Sequence, residues 1–264
     1  MIQKRYEGFL KTACLWKNDT LLGLKQLDIV PLFTTIDIAI QEKLRLGKYV
    51  ERLVVFELKQ HTTISILAEN IQIQKGKTTV GELDCLYIKN NRPVHLEIIY
   101  KFYLYDTSVG TQEIEHFIGP NRKDTLLEKL IKLKDKQLPL LHTADCKKYL
   151  DQLGLKSEDI TQEVYFKAQL FVPYRNTAVH LKTLNPEAIV GLYINKEELN
   201  TLNDHKFYVP SKKDWLIAPH YDVNWMTFET FKPVAQAYLN RQFSPLCWMK
   251  AKNGTLVKMF LVWW

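Results

Sequence analysis

Two carboxylates and a lysine interrupt the apolar residues of segment 81–106. The segment reads GELDCLYIKNNRPVHLEIIYKFYLYD, with Asp84 before the central Asn-Asn pair and Glu97 and Lys101 after it. If that pair forms a two-residue hairpin turn, Asp84 lies directly opposite Glu97, with Cβ atoms about 4.5–5.5 Å apart. Like charges so placed repel each other. A divalent cation such as Mg²⁺ or Mn²⁺, or a shared proton, would remove the repulsion.

Strand alternation gathers these charges on one face of the predicted hairpin. The opposite face is apolar or aromatic throughout and predicts core packing. For the charged face two interpretations remain open: a metal or proton site, and a solvent-exposed surface whose charges are hydrated. The charged face contains Glu82, Asp84, Leu86, His95, Glu97, Ile99, Lys101 and Tyr103.

The elements around this hairpin predict a mixed α/β domain. Apolar spacing in residues 35–60 predicts two helices with a break at Gly47, and residues 62–76 predict a β-rich stretch. After the hairpin, residues 120–138 predict a helix that starts at Pro120, is capped by Asn121 and ends before Pro139. A further helix near 147–153 and a strand at 163–174 complete the order: helix, three strands, helices, strand.

The remaining residues, about 176–264, predict a β-rich extension. AIVGLYI and KFYVP are typical of strands, and NKEELNTL between them is typical of a short helix. The tail WMKAKNGTLVKMFLVWW predicts a hairpin in which Asn253-Gly254 forms a type I′ turn. For the tryptophans of this tail we prefer core packing to stacking on nucleic-acid bases.

Bulk composition narrows the class of protein. The 264 residues carry a net charge of +7, which fits a partner with a phosphate backbone but is also compatible with an ordinary soluble protein. The four cysteines are far apart and form no CxxC pair, so a zinc ribbon is not expected and free thiols in a reducing compartment are. The N-terminus has no uninterrupted apolar segment, so we expect a cytoplasmic protein without a membrane anchor.

Several motifs resemble a known family. An acidic strand residue, a glutamate and lysine on the next strand and a following helix resemble the PD-(D/E)XK nuclease superfamily. LGKYVERL, GELDCLY, HLEIIYKFYL and FIGPNRKDTLLEKLIKLKDKQLP are similar to bacterial proteins grouped as domain of unknown function 1853. The resemblance covers about residues 46–174 and continues more weakly into the C-terminal part. It implies a restriction-endonuclease-like core (α-β-β-β-α-β, a mixed sheet flanked by helices) within residues 1–175, with 176–264 as an α+β extension.

The resemblance also implies roles for single residues. Asp84 and Glu97 would bind the metal, Mg²⁺ or Mn²⁺, and Lys101 would orient the attacking water or stabilise the developing charge on phosphate. Glu51 would be a further metal ligand or support one, and an exposed helix carboxylate is an equally simple interpretation. Gln137 would face the site from the following helix, although an ordinary polar residue at a helix end is the simpler interpretation. In the usual pattern the glutamate and lysine are two residues apart, whereas Glu97 and Lys101 are four apart. This spacing keeps both on one face but places their Cα atoms about 13 Å apart instead of about 7 Å.

Three functional hypotheses follow. The first is a metal-dependent nuclease that hydrolyses phosphodiester bonds, with DNA preferred to RNA as the partner. The second is a nuclease-like module that binds nucleic acid without cleaving it, which the stretched glutamate–lysine spacing favours. The third is a protein-interaction role in which the charged face is hydrated or contacts a partner. The sequence does not predict an oligomeric state.

Overall fold

The computed structural model describes residues 1–17 and 20–264. The helices are α1 (Ile2–Lys11), α2 (Leu46–Lys59), α3 (Leu126–Lys132), α4 (Ala144–Gln152), α5 (Lys196–Leu199) and α6 (Phe228–Leu239). The strands are β1 (Thr20–Leu21), β2 (Leu24–Lys25), β3 (Ile64–Lys75), β4 (Thr78–Lys89), β5 (Arg92–Tyr105), β6 (Phe117–Ile118), β7 (Thr161–Pro173), β8 (Ile189–Ile194), β9 (Lys206–Tyr208), β10 (Met226–Thr227), β11 (Leu246–Lys250) and β12 (Leu256–Leu261). Short turns of helix are a π-helix at Leu133–Gln137 and 3₁₀ segments at Leu138–His142, Ser157–Asp159, Pro186–Ala188, Asn200–Leu202 and Lys212–Leu216.

The fold is mixed α/β, with a large mixed sheet flanked by helices. The predicted order of a helix, three strands, helices and a strand matches α2, β3, β4, β5, α3, α4 and β7, with the short β6 added after β5. Neighbouring strands run antiparallel in β3–β4–β5 and parallel in β7–β8 and β8–β12.

The chain divides into two compact units. The hairpin unit comprises residues 14–100 and 128–167, and the terminal unit comprises residues 1–13, 101–127 and 168–264. Strands β5 and β7 contribute residues to both units. Each unit contains residues that lie close together in space but come from separate parts of the sequence. The expected domains, 1–175 and 176–264, instead separate a nuclease-like core from an extension along the sequence. The expected domain boundary therefore stays a prediction.

The hairpin unit packs helical segments against antiparallel strands. Strands β3 and β4 pair from Ile64↔Lys89 to Lys75↔Thr78, with a bulge between Ile66 and Ala68. Leu140 approaches β4 so closely that a Cβ on Gly81 would lie 2.5 Å from its Cδ2 atom. The core of this unit contains Ile71, Ile73, Leu83, Leu86, Leu140, Leu141, Cys146, Leu150 and Ile160.

The terminal unit has its own core under the C-terminal hairpin. Phe207 of β9 stacks on Phe231 of α6, with ring centroids 4.3 Å apart. Strands β11 and β12 pair antiparallel from Leu246↔Phe260 to Lys250↔Leu256, so the predicted hairpin is confirmed. Of the tail's tryptophans, Trp248 is buried in the interior, as expected.

Three local predictions were wrong. Residues 35–45 form no helix: Thr35 and the β-branched residues after it disfavour one, and α2 starts at Leu46. The helix expected at Pro120 starts at Leu126, because Arg122 has a φ of 53°, outside the helical region. The C-terminal hairpin has no type I′ turn, since in residues 251–255 only Gly254 has a positive φ.

Two further expectations bear on location. All four cysteines are free thiols. None of the helices in residues 1–17 and 20–264 combines the length and the apolar composition that crossing a lipid bilayer requires.

Candidate functional site

Helix α2 carries the first site residue, Glu51. Its apolar residues Tyr49, Val50, Leu53 and Val54 are at most 1% exposed, so the helix is fixed by core packing. Glu51 is itself 8% exposed, which places its carboxylate in a largely desolvated position. Of the two interpretations of Glu51, the exposed helix carboxylate is therefore wrong.

The β4–β5 hairpin carries the next site residues, and its turn is as predicted. Asn90 and Asn91 have φ values of 51° and 62°, as a two-residue type I′ turn requires. The pairing runs from Lys89↔Arg92 to Cys85↔Leu96, which confirms the predicted register over these five positions. The next position in this register is Asp84 opposite Glu97.

The backbone pairing of β4 with β5 ends at Cys85. At the next residue, Asp84, the side chain accepts a hydrogen bond from β5. The Ile98 amide donates to Oδ2 of Asp84 at 2.9 Å. The Asp84 carboxylate therefore lies against the backbone of β5, next to Glu97. Glu97 is fully buried, so its charge is not hydrated as on an exposed strand face.

Three carboxylates of the hairpin unit lie close together. Glu51, Glu82 and Asp84 each offer one oxygen, and these oxygens lie within 4.8 Å of one another. We name these three residues the carboxylate cluster. Oxygen ligands on one Mg²⁺ are at most about 4.2 Å apart, and on one Ca²⁺ about 5 Å, so small movements would bring all three onto one cation. The donor set thus fits a hard divalent cation.

The cluster differs from the predicted metal ligands by one exchange. Glu82 belongs to it, and the expected ligand Glu97 does not. Glu82 lies two residues before Asp84 on the same strand face, so strand alternation was the signal that could have identified it.

A lysine bridges the carboxylates of the cluster. The Lys48 ammonium donates to Oε2 of Glu51 at 2.9 Å, to Oε1 of Glu82, and to Oδ1 of Asn70 at 3.1 Å. Burial opposes the charged ammonium, but the hydrogen bonds to Glu82 and Glu51 outweigh it and raise the Lys48 pKa. Lys48 precedes Glu51 by three residues on α2, a spacing that brings the two side chains together on one helix face.

Glu97 is held by a separate set of hydrogen bonds. Gln137, the last residue of the π-helix, donates its amide Nε2 to Oε2 of Glu97. The Gln137 Oε1 atom accepts from Lys129 at 2.7 Å. Gln137 therefore contacts Glu97, one of the predicted site residues, and its role in the site stays a prediction.

His95 completes the surroundings of Glu97. Gln162 Nε2 donates to the Leu138 carbonyl at 2.7 Å and lies 3.0 Å from His95 Nδ1, which must therefore accept. The proton of a neutral imidazole is then on Nε2, which donates to Oε1 of Glu97 at 3.2 Å. Burial lowers the His95 pKa to about 4, in agreement with this neutral ring.

The acids of the site share one electrostatic property. Burial raises the pKa of Glu51, Asp84 and Glu97 to about 7 each. After burial, the nearby Asp84 carboxylate raises the Glu51 pKa further, and the Glu97 carboxylate does the same for Asp84. Such a group of acids gains from any bound positive charge, because that charge favours their ionised forms.

Lys101, the remaining predicted residue, has a different partner. Its ammonium donates to Oδ2 of Asp124 at 2.7 Å, within the terminal unit. Sequence reasoning assigned no role to Lys48, Lys129, His95 or Gln162. These residues are distant from one another along the chain and meet only through the fold.

The family model of a domain of unknown function (DUF1853) matches residues 10–262. No curated protein and no solved structure matches the chain.

Proposed function

We propose that this chain, which belongs to the DUF1853 family, hydrolyses phosphodiester bonds of nucleic acid with the help of a divalent cation. The observation that carries the proposal is the convergence of Glu51, Glu82 and Asp84, three carboxylates within reach of one cation, of which that of Glu51 is buried. The order of elements from α2 to β7 supports a restriction-endonuclease-like core, and the net charge of +7 supports a polyanionic substrate.

The cation would be Mg²⁺ or Mn²⁺, held by the carboxylate cluster. When bound, such an ion lowers the pKa of a water molecule and polarises a phosphate oxygen. In the cation-free protein the Lys48 ammonium binds oxygens of Glu51 and Glu82, the place that a cation would take. Gln137 and His95 fix the direction of the Glu97 carboxylate, which lies next to Asp84.

DNA remains the preferred substrate in this proposal, and the role of Lys101 in orienting the attacking water remains a prediction. The pairing of Lys101 with Asp124 gives a specific reason for a second candidate function. In that alternative the protein binds nucleic acid without cleaving it. Binding would then weaken with added salt, and no product would form with any cation.

The test is a cleavage assay on labelled single- and double-stranded DNA and RNA. We expect product with Mg²⁺ or Mn²⁺, none with a chelator, and none from Glu51→Gln or Asp84→Asn. The matched control is Glu163→Gln, which alters a buried carboxylate outside the cluster that pairs with Lys25. Cleavage by both cluster variants at the rate of the control would refute the proposal, and salt-dependent binding without product would favour the alternative.

A further inference from the structure

A small cavity in the terminal unit is lined with positive charge. Its volume is about 230 Å³. The lining includes the ammonium-bearing residues Lys101, Lys123 and Lys212, the carboxylate of Asp124 and the ring of Trp215. We name this cavity the lysine pocket. All of its lining residues belong to the terminal unit.

The charges of the lysine pocket do not balance. Lys101 pairs with Asp124 at 2.7 Å, and this is the one carboxylate of the lining. Lys123 and Lys212 therefore bring two positive charges that the lining does not neutralise. Like charges brought together repel one another, and a bound anion would remove that repulsion.

Lys212 is held in place by aromatic rings instead of a carboxylate. Its Nζ atom lies 3.2 Å from the centroid of the Trp215 ring and 5.5 Å from that of Phe102. Both rings are buried, so they form a rigid wall for the ammonium. Desolvation against these rings is the main reason that the Lys212 pKa is lowered to about 7, and repulsion from the nearby Lys101 ammonium is the second. Much of the residue is nevertheless exposed to solvent. An anion in the pocket would raise the Lys212 pKa.

The loop that carries Lys123 is held in a fixed conformation. The Gly119 amide donates to the Asp124 carbonyl at 2.7 Å, closing the loop at its ends. Its outer side is held by the Trp264 indole, which donates to the Pro120 carbonyl at 3.0 Å. A loop fixed in this way presents its lysine without a large ordering cost on binding.

We propose that the lysine pocket binds the phosphate group of a phosphate monoester, such as the terminal phosphate of a nucleic-acid strand. A monoester carries about −1.5 to −2 charges near pH 7, so it would favour the ammonium form of Lys212 and pair with it and with Lys123. Pockets for drug-sized ligands start at about 300 Å³, so a cavity of about 230 Å³ has room for a phosphate group but is small for a drug-sized ligand.

This inference adds a binding contact to the proposed nuclease but does not depend on its metal. Phosphate binding is measured with a chelator present, where the carboxylate cluster plays no part. Cleavage is measured on strands without terminal phosphates. Failure of one proposal is therefore distinguishable from failure of the other.

The experiment titrates the protein with inorganic phosphate by calorimetry, and with short oligonucleotides by fluorescence anisotropy at low salt. The oligonucleotides carry a 5′-phosphate, a 3′-phosphate or hydroxyls at both ends. We expect saturable phosphate binding, and a preference for one phosphorylated strand over the hydroxyl strand. Lys123→Gln and Lys212→Gln should each weaken that binding about tenfold, the size of one lost charged hydrogen bond.

The control is Lys196→Gln, which removes the same charge from an exposed lysine of the terminal unit that does not line the pocket. Inorganic phosphate binding that depends on both pocket lysines, without a higher affinity for strands with a terminal phosphate, would support the phosphate site. Its ligand would then be a small phosphate monoester. Absence of phosphate binding, or equal binding by the pocket variants and the control, overturns the proposal.

Discussion

The carboxylate cluster and the lysine pocket are opposite in charge and similar in construction. In the hairpin unit, three carboxylates lie together with one ammonium, that of Lys48, which binds Glu51 and Glu82. In the terminal unit, three ammonium groups lie together with one carboxylate, that of Asp124, which pairs with Lys101. Each site thus gathers like charges and neutralises them only in part, as expected of a place that receives an ion of the other sign.

The two sites differ in desolvation. In the carboxylate cluster, Glu51 is 8% exposed, and burial is the main cause of the raised pKa values of Glu51 and Asp84. Lys101 and Asp124 are 38% and 41% exposed at their side chains, so water screens their charges. Loss of a charge should therefore change binding and stability more in the carboxylate cluster than in the lysine pocket.

The largest expected effect is on cleavage. Asp84→Asn removes a charge from the cluster while leaving an oxygen that can still accept from the Ile98 amide. Because a bound cation stabilises the transition state by several kcal/mol, we expect the cleavage rate to fall at least about a hundredfold. Initial rates with Mg²⁺ and with Mn²⁺ measure this, with Glu163→Gln as the control. A fall of less than threefold would show that Asp84 takes no part in the cleavage reaction.

The next effect is on stability against pH. The folded, cation-free protein keeps protons on Glu51, Asp84 and Glu97 up to about pH 7, whereas the unfolded chain releases them near its ordinary pKa of about 4. Their contribution to the free energy of unfolding is therefore present below about pH 4 and lost as the pH rises through about 7. Asp84→Asn should raise the Tm at about pH 8 by about 2–4 °C.

Thermal melts in a chelator at both ends of this range test the prediction. Near pH 4 the variant and the unaltered protein should differ little, because the carboxyl group is protonated in the fold. Added Mn²⁺ should stabilise the unaltered protein near pH 8 and affect Asp84→Asn much less. An equal Tm change from the substitution at both pH values would show that its cause is not electrostatic.

A smaller effect is expected when the positive charge of Lys48, which lies beside the carboxylate cluster, is removed. The Lys48 ammonium occupies oxygens that a cation would use, so Lys48→Met should tighten Mn²⁺ binding, by about tenfold or less. Calorimetry measures this affinity. The control is Lys25→Met, since Lys25 is 54% exposed and pairs with the buried Glu163, much as Lys48 is 41% exposed and pairs with Glu51. Unchanged or weaker Mn²⁺ binding in Lys48→Met would make Lys48 part of the site instead of a competitor.

The smallest effect is the mirror change in the lysine pocket. Asp124→Asn removes the one carboxylate and should tighten binding of inorganic phosphate by about two- to threefold, since exposed ion pairs contribute less than about 1 kcal/mol. Asp204→Asn is the control, because Asp204 is 38% exposed and pairs with Lys252 in the same unit. If Asp124→Asn weakens phosphate binding, the carboxylate supports the pocket instead of competing for it.

The sequence predicted the parts of this account that depend on local order. Alternation and the Asn90-Asn91 turn placed Asp84 beside Glu97, because a short hairpin turn fixes the register of both strands. Apolar spacing likewise identified α2, although it extended the helical region too far towards the N-terminus.

The remainder required the fold. Lys129 lies eight residues before Gln137, a longer separation than the three or four residues that a helix face brings together, and the chain between them changes from α-helix to π-helix. His95 meets Gln162 across 67 positions of sequence, a contact that no local pattern specifies. The pairing of Lys101 with Asp124 depends on the conformation of loop 119–124, which the sequence had predicted to be the start of a helix.

The most direct test of the central claim is a crystal structure of the protein soaked with Mn²⁺, with anomalous scattering used to locate the ion. We expect a peak among Glu51, Glu82 and Asp84, with one oxygen of each about 2.0–2.3 Å away and the Lys48 ammonium displaced from Glu82. Absence of a peak at Mn²⁺ concentrations that support cleavage, or a peak elsewhere with Lys48 still bridging the carboxylates, would contradict the account.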